Sequence, residues 1–347
     1  MVTTDRELQW QTDPADFPLG GSAADILRFV LGYAVLAPSS HNSQPWLFWI
    51  DGPRLELYAD RSRRLPVVDS DDRELVMSCG ATLRNLRVAL NHFGEEVDID
   101  ILPDARKPDL LARLELAGRP VVPTPRTENQ FAAITRRHTS RHAFDATPVT
   151  GQIFLDLRRA AFDEGAWLFD VARQAYRALA YLVTDADTAQ MADAAFRREL
   201  AHWMRPNHPA SSDGMPGYAL GLSDLRSVVG PLVVRTFDVG LSQAAKDEDL
   251  VRGSPLLAIL STPGDDRASW VAAGQAMQSV LLAATAAGLQ ASFLNQPIEV
   301  TALRTKLATE LGVAGHPQLL MRFGYGPEAA PTPRRPVEDV LLRERPA

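Results

Sequence analysis

Two apolar, helix-forming segments with the same glycine spacing constrain the fold of this 347-residue chain more than any other feature. They span residues 78–93 and 271–287, and each has a glycine near its start and another just past its end. The glycines are 94 − 80 = 14 and 288 − 274 = 14 residues apart. The repetition predicts two tandem, diverged halves, although two glycine-bounded helices can also be alike by chance.

Strand patterns accompany both long helices. Residues 44–50 and 54–59 are rich in aromatic and aliphatic side chains, residues 96–102 alternate acidic with apolar side chains, and residues 318–323 form a last apolar run. Such patterns are typical of strands. They predict an α+β fold in which each half has an antiparallel-rich sheet flanked by helices, and in which the long helices pack at an internal pseudo-dimer interface.

A proline-rich stretch separates the two halves. The pattern weakens around residues 107–125, where three prolines lie within six residues, and this predicts a connector. We therefore assign an N-terminal half to residues 1–120 and a C-terminal half to residues 121–347.

Composition excludes several classes of protein. The formal net charge of −7 gives no indication of a nucleic-acid or anionic-membrane partner. Cys79 is the only cysteine, which excludes an internal disulfide framework and a thiolate-rich metal cluster. His138 and His142 are four residues apart but lack neighbouring carboxylates, so no metal site is predicted. Without an apolar leader or a run of roughly 18 apolar residues, we expect a cytoplasmic protein.

The first chemical motif is the string Ala-Pro-Ser-Ser-His-Asn-Ser-Gln-Pro-Trp at residues 37–46. It places two hydroxyls and two amides on a short loop before a buried strand. Asn42 and Gln44 each present a donor and an acceptor together, which suits them to reading the edge of a planar heterocycle. The same residue types also form ordinary turns, so the motif alone leaves both interpretations open.

The second motif is Arg-Arg-His-Thr-Ser-Arg at residues 136–141. Three guanidinium groups with two hydroxyls between them can clamp a phosphate, because arginine binds phosphate oxygens in a bidentate manner. A solvated basic helix end is the alternative, since cations are favourable at a helix C-terminus.

Both motifs resemble signatures of the nitroreductase family. The string at residues 37–46 looks like the family's APSxxNxQPW loop, and residues 136–141 look like its RHSxK/R segment. Gln-Pro-Ile-Glu at residues 296–299 is similar to a PIE-like segment, and Pro-Arg-Arg-Pro at 333–336 to the basic C-terminal residues of the family. The likeness covers most of the chain and is greatest to the Acg-like branch, whose members are fused double nitroreductase modules.

The resemblance implies a flavin site that holds FMN. The segment with Arg137 and Thr139 would face the phosphate and ribityl chain, Arg141 would approach the N1/O2 edge, and residues 297–299 would lay their backbone against N5. The cofactor-binding residues it implies are Pro38, Ser39, Ser40, Asn42, Gln44, Arg137, His138, Thr139, Ser140, Arg141, Pro297, Ile298, Glu299, Arg334 and Arg335. No catalytic side chain is assigned, because the flavin itself carries the chemistry.

The resemblance also implies one FMN per chain. In the family, one subunit of a dimer supplies the polar loop and the other supplies the arginine-rich segment. Here the polar loop occurs only in the first half, and the arginine-rich segment only in the second. The parts therefore suffice for one site, and we expect a monomer with internal pseudo-two-fold symmetry.

Two functions remain in competition at this point. The first is an FMN-dependent oxidoreductase that passes hydride from NAD(P)H to a nitro compound, a quinone or a similar small electrophile. The second is a binding protein that sequesters FMN or senses redox state beneath a lid. Residues 202–240, which lack a regular pattern, are predicted to be that lid. A reductive dehalogenase or a flavin-cleaving enzyme on the same fold is a weaker third interpretation.

Overall fold

The first half of the molecule is built around one four-stranded sheet. A computed structural model describes Trp10 and residues 12–208, 211–238 and 240–346 of the chain. The first half contains helix α1 (Ala23–Ala34), strands β1 (Trp46–Asp51) and β2 (Arg54–Ala59), helix α2 (Arg73–His92), and strands β3 (Glu95–Ile101) and β4 (Leu110–Pro120). A capping box between Ser22 and Asp25 starts α1. The strands are antiparallel in the order β1-β2-β4-β3.

The second half holds a second four-stranded sheet and most of the helices. Its elements are α3 (Pro125–Ile134), α4 (Gly151–Phe162), β5 (Trp167–Asp170), α5 (Tyr176–Ala192), α6 (Ala194–Trp203), β6 (Met204–Arg205), β7 (Met215–Pro216), α7 (Asp224–Thr236), α8 (Gly240–Gly253), β8 (Leu256–Thr262), α9 (Arg267–Ala286), β9 (Gln290–Phe293), α10 (Gln296–Glu299), α11 (Thr301–Leu311), β10 (His316–Gly324) and α12 (Val337–Val340). Single 3-10 turns lie at Pro14–Asp16, Ser40–Asn42, Arg61–Arg63, Arg173–Ala175 and Gly217–Leu220. The sheet order is β5-β8-β10-β9, again antiparallel.

The two sheets share one topology. In each, a long helix connects the second strand along the chain to the third, and the fourth strand lies between those two. The halves differ between their first and second strands. A turn at Gly52 and Pro53 joins β1 to β2, whereas residues 171–255 separate β5 from β8 and carry helices α5 to α8. The fold is therefore α+β with two similar sheets, and the second half contains a large insertion.

The long helices α2 and α9 cross at the two glycines that the sequence pattern singled out. A Cβ atom added to Gly80 would lie 2.4 Å from the carbonyl oxygen of Val271, and one added to Gly274 would lie 2.0 Å from the carbonyl oxygen of Met77. Gly80 thus contacts the residue three positions before Gly274, and Gly274 contacts the residue three positions before Gly80. Only glycine permits this approach, since any side chain would overlap backbone atoms.

The C-terminal tail leaves the second sheet and packs on the first. The backbone N–H of Leu342 donates to the carbonyl of Phe48 on strand β1 at 2.7 Å. Arg345 forms an ion pair with the buried Glu56 of strand β2, with 2.7 Å between Nη2 and Oε1. The tail therefore ties the end of the second half to the sheet of the first.

One prediction about the connector was wrong. Residues 110–120 form strand β4, which pairs with both β2 and β3, so only residues 121–124 link the halves. Leu110, Leu111 and Ala112 are all buried, and a strand buried on both faces lacks the alternation that reveals strands in a sequence. The stretch 202–240 also contains more regular structure than expected, since α7 continues across Pro231. No helix among the described residues is both long and apolar enough to cross a bilayer.

Replacing Gly80 or Gly274 with alanine should force the long helices apart. We expect each change to lower the free energy of unfolding by about 3 kcal/mol, at the upper end of the usual range for overpacking, measured by urea titration. Gly151→Ala is the control, because a Cβ there meets no atom within 4 Å. Equal stability of all three variants would contradict the close crossing.

Candidate functional site

A cavity of about 710 Å³ lies between the two halves and beneath the insertion. Residues from the polar loop, the arginine-rich segment, the insertion and the tail all contribute to its wall. The predicted site residues on that wall are Pro38, Ser39, Ser40, Asn42, Arg137, His138, Thr139, Arg141, Glu299 and Arg334. The structure therefore brings together residues that are up to 296 positions apart in the chain (334 − 38 = 296).

Five predicted site residues do not line this cavity. Gln44 is fully buried behind the polar loop, where its Nε2 donates to the carbonyl of Ser212 at 2.8 Å and its Oε1 accepts the backbone N–H of Arg335 at 2.8 Å. Arg335 donates to the carbonyls of Gln44 and Asp339. Ser140 is buried, and its backbone N–H donates to Ala291 at 2.9 Å. These three residues support the wall from behind.

Pro297 and Ile298, the other two, are buried in the short helix α10. The backbone N–H groups of Ile298 and Glu299 both donate to the carbonyl of Asn295, at 2.7 and 2.9 Å. The N–H groups of Ile298 and Glu299 are therefore not free to donate to a flavin, because they are already bonded within the helical turn.

The polar loop is held in an unusual conformation by its own amides. His41, Asn42 and Gln44 have φ angles of 52°, 54° and 52°, in the left-handed region that non-glycine residues rarely adopt. Asn42 Nδ2 donates to the carbonyls of Gly214 and Pro333 at 2.9 and 3.1 Å. The amides of Asn42 and Gln44 thus tie the loop to the insertion and the tail, and reading of a heterocycle edge by these amides stays a prediction.

Two buried guanidinium groups give the cavity a cationic end. Arg137 is 2% exposed, and its Nε and Nη1 atoms have no hydrogen-bond partner among the described residues. Arg334 is 4% exposed, its Nη1 donates to Asn42 Oδ1 at 2.9 Å, and its Nε has no partner within the same part of the chain. Burial lowers the pKa of Arg137 to about 10 and also lowers that of Arg334. Buried N–H groups without acceptors are rare, so this pair indicates an anion site.

The histidines near this end add no charge at neutral pH. Burial lowers the pKa of His138 to about 3, with repulsion from Arg137 and Arg334 as further causes. Burial, with repulsion from Arg141 as the second cause, lowers the pKa of His41 to about 4. The positive charge at the cationic end therefore comes from the arginines alone.

The arginine-rich segment begins in the turn that ends helix α3, where the N–H groups of Arg136 and Arg137 donate to the carbonyl of Ala133, and it reaches the sheet at Thr139. Helix α3 stops at Ile134, and Thr139 forms an isolated parallel bridge with Ala291 of β9. This pairing fixes the segment along the sheet edge. Arg141 then reaches the insertion, where its Nη1 donates to the carbonyl of Ala219 at 3.2 Å.

The stretch 202–240 covers the cavity, as far as it is described; residues 209, 210 and 239 lie outside the described residues. Its apolar side chains on the wall are those of Met204, Met215, Ala219, Leu220, Leu222, Val229, Val233 and Val234. Polar contacts fasten it to the polar loop, since the N–H of Gly214 donates to Asn42 at 3.2 Å and Arg63 pairs with Asp213 at 2.8 Å. Residues of this segment thus line the same cavity as residues of the polar loop and the arginine-rich segment.

Comparisons with known proteins identify the family. The model of the nitroreductase family matches residues 134–325. A Mycobacterium tuberculosis protein, whose name classes it provisionally as an NAD(P)H nitroreductase, is 34% identical over 334 residues, 93% of this chain and 94% of its own length. The chain belongs to the nitroreductase family. The M. tuberculosis protein acg, named in the same provisional way, is 29% identical over 323 residues, 91% of this chain and 95% of its own length. The solved FMN-dependent nitroreductase NfnB of Mycobacterium smegmatis, in complex with NADPH, is 18% identical, covering 63% of this chain and 99% of its own at a TM-score of 0.41.

This member of the nitroreductase family, a family of oxidoreductases, builds part of its cavity outside the family match. Residues 137–141 and 297–299 lie inside residues 134–325, whereas the polar loop and Arg334 lie outside them. The M. tuberculosis relatives align along more than nine-tenths of the chain. The length shared with those relatives therefore includes both halves.

The cavity of this nitroreductase-family chain also has an acidic wall, of which Glu299 was predicted from the sequence and the two aspartates were missed. Asp187 on α5, Asp247 on α8 and Glu299 on α10 line it. Burial, with repulsion from Glu74 as the second cause, raises the pKa of Glu299 to about 8. The only sequence signal was an acidic residue on an otherwise apolar helical face, and many solvated helices show that pattern as well.

Removing the buried Arg137 charge should abolish anion binding without unfolding the protein. We expect Arg137→Leu to leave the melting temperature of the ligand-free protein equal or higher, because an unpaired buried charge is lost. Inorganic phosphate should stabilise the wild type and not this variant in a thermal-shift measurement. The neighbouring Arg136→Leu is the control, since Arg136 is exposed and donates only to Ala132. A phosphate effect that survives in Arg137→Leu would contradict the site.

Proposed function

We propose that this chain is an FMN-dependent oxidoreductase of the nitroreductase type, with one FMN bound between its halves. In this proposal hydride passes from NAD(P)H to a nitro compound, a quinone or a similar small electrophile. The observation that carries it is the pair Arg137 and Arg334 on the wall of a large cavity, where Nε and Nη1 of Arg137 and Nε of Arg334 are buried with no acceptor among the described residues. The provisional names of the relatives as NAD(P)H nitroreductases support the same reaction class.

The residues present fit an FMN. A cavity of about 710 Å³ lies within the usual range of roughly 300–1,000 Å³ for cofactor and small-molecule sites. A phosphate supplies the acceptor oxygens that the two guanidinium groups lack, and arginine is the side chain best suited to bind it. Ser39, Ser40 and Thr139 add hydroxyls to the wall for the polar chain that follows the phosphate.

Each group on the wall then has a distinct task. When bound, FMN supplies a ring nitrogen that accepts hydride and passes two electrons to a second substrate. Arg137 and Arg334 hold the phosphate, and Asn42 keeps Arg334 in place through the bond at 2.9 Å. Arg141, fixed by Ala219, supplies positive charge for the reduced ring. The apolar side chains of the lid exclude water from the remaining space.

The position that pseudo-symmetry relates to this site does not suit a phosphate. The offset between the crossing glycines is 274 − 80 = 194 residues, so Ser292 on the cavity wall corresponds to position 292 − 194 = 98, which is Asp98. Asp98 lines a smaller cavity of about 420 Å³ together with Glu95 and Glu96, and the two arginines of the same wall, Arg84 and Arg87, are both paired with Glu164. Acidic side chains there oppose an anion, which supports one FMN per chain.

The remaining features of the proposal follow from the two-half fold. The halves meet after residue 120, each half contributes to one site, and the chain acts as a monomer with internal pseudo-two-fold symmetry. Its partners are a small-molecule electron acceptor and NAD(P)H, and it works in the cytoplasm.

A second candidate is a binding protein that sequesters FMN or senses redox state. The fastening of the lid favours it: Tyr218 donates to the carbonyl of Pro331 at 2.7 Å, Asn42 donates to the carbonyl of Gly214, and Arg63 donates to Asp213. A lid that stays closed would keep nicotinamide from the flavin. The two candidates therefore share the same FMN contacts and differ in whether nicotinamide can reach the flavin.

Loss of either half of the phosphate site should weaken FMN retention. The purified wild type should contain one FMN per chain, and Arg137→Ala and Asn42→Ala should each raise the dissociation constant of FMN by a factor of about 10 to 100, the loss expected for charge-assisted hydrogen bonds. The measurement is flavin absorbance after exhaustive dialysis, with Arg136→Ala as the control. Unchanged retention in either variant would remove that half from the site.

Anaerobic addition of NADPH, and separately NADH, should bleach the visible flavin band of the wild type if the oxidoreductase proposal holds. The signal reports hydride transfer directly. One tightly bound FMN that stays oxidised with both nucleotides would favour the binding protein instead.

A further inference from the structure

Two carboxyl groups of the insertion meet on the cavity wall. Asp187 lies on helix α5 and Asp247 on helix α8, and both line the main cavity. Their residues are 2% and 4% exposed, so both carboxyls are removed from bulk water. Helices α5 and α8 pack against each other, and Gln296, whose Nε2 donates to Asp247 at 2.8 Å, also acts on Asp187, so the two carboxyls are neighbours that act on each other. Two carboxyls can hydrogen-bond to each other only with a proton between them.

The neighbours of the pair decide which carboxyl carries that proton. The Oδ2 atom of Asp247 accepts Nε2 of Gln243 at 2.7 Å and Nε2 of Gln296 at 2.8 Å. Donors of this kind stabilise an ionised carboxylate. The Oδ2 atom of Asp187 is buried, and no donor among the described residues reaches it. Asp187 is therefore the carboxyl that carries the proton, and its Oδ2 atom has no hydrogen-bond partner among the described residues.

The charges that face the pair come from several elements. Lys246 on α8 and Arg322 on β10 act on Asp247 at a distance, and Asp247 in turn acts on Arg141. None of these cations forms an ion pair with Asp187 or Asp247 in the part of the chain that is described. Burial, with repulsion from Asp247 as the second cause, raises the pKa of Asp187 to about 8, and burial raises that of Asp247 as well. The pair thus holds a proton at neutral pH.

We propose that the Asp187–Asp247 pair is the proton donor for reduction of the acceptor, an inference that rests on the proposed oxidoreductase function. When a quinone takes up hydride, with the two electrons originating from NAD(P)H, it becomes a hydroquinone monoanion. The Asp187 O–H bond then breaks, and its proton joins the anionic oxygen to give the neutral hydroquinone. The pair is left with two negative charges and recovers one proton from water before the next cycle.

This role favours a particular class of acceptor. Quinones and nitro compounds need a proton as well as electrons, so an acid on the wall accelerates their reduction. A one-electron metal complex such as ferricyanide needs no proton. The pair should therefore accelerate the reduction of quinones and nitro compounds and leave the reduction of ferricyanide unchanged, even where both kinds of acceptor reach the cavity.

The pH dependence has a definite sign. Asp187 is protonated below about pH 8 and loses its proton above it, so the proton-coupled step should slow as the pH rises through about 8. The same proton is bound in the folded state at pH values where an unfolded aspartate has lost it. Stability should therefore fall as the pH rises from the unfolded pKa of roughly 4 towards 8, and Asp187→Asn should flatten this dependence.

The test compares two acceptors and three variants of the holoenzyme. Dithionite-reduced protein is mixed in a stopped-flow instrument with 1,4-benzoquinone or with ferricyanide, which makes the test independent of whether NAD(P)H reduces the flavin. Asp187→Asn and Asp247→Asn should slow reoxidation by the quinone by about 100-fold at pH 7, within the range for loss of a general acid, and leave ferricyanide unaffected. Asp185→Asn is the matched control, because Asp185 is exposed on the same helix.

A second readout does not depend on activity. The infrared difference spectrum between wild type and Asp187→Asn at pH 7 should contain a protonated-carboxyl band that disappears as the pH rises past about 8, whereas the difference spectrum for Asp185→Asn should lack it; the band of Glu299 cancels in both subtractions. Wild-type quinone rates in Asp187→Asn, or equal slowing with both acceptors, would overturn the proton-donor role. A protein that contains no FMN would overturn the proposed function and this inference together.

Discussion

The crossing of α2 and α9 at Gly80 and Gly274 fixes the distance between the two halves. Backbone meets backbone there, so no rearrangement of side chains can widen or narrow the gap. The same two helices continue into the cavity, where Met77 and Ser78 of one and Met277 of the other form part of the wall. The contact between α2 and α9 in the core thus sets the width of the cavity. The loops form other parts of its wall.

Charge is distributed unevenly around that space. Arg137 of the arginine-rich segment and Arg334 of the tail supply buried cations, and Asp187 and Asp247 of the insertion supply buried carboxyls. Among the described residues, Nε and Nη1 of Arg137 have no acceptor and Oδ2 of Asp187 has no donor. Buried groups of this kind cost stability unless a ligand satisfies them, which is the usual condition of a site arranged for binding and chemistry.

Sequence patterns predicted the frame better than the details of the site. The repeated glycine spacing and the two motifs predicted paired long helices and a shared cavity, because periodicity and composition are local properties. Strand β4 was not predicted, because burial on both faces removes the alternation of apolar and polar residues by which a strand is recognised in a sequence. The roles of the Asn42 and Gln44 amides escaped because their partners, such as Ser212 and Pro333, are distant in the chain. The meeting of Asp187 with Asp247 depends on how two helices of the insertion pack, and no local pattern encodes that.

The correspondence of Ser292 with Asp98 has a consequence for symmetry itself. In a two-fold homodimer every substitution is made twice, so a residue that suits one interface site is imposed on the other. A chain that carries both halves in one sequence is released from this coupling. It can keep a neutral hydroxyl at one position, place a carboxylate at its counterpart, and insert four helices on one side only. Because both halves lie in one chain, Asp98 can occupy this position in the first half while Ser292 occupies its counterpart in the second.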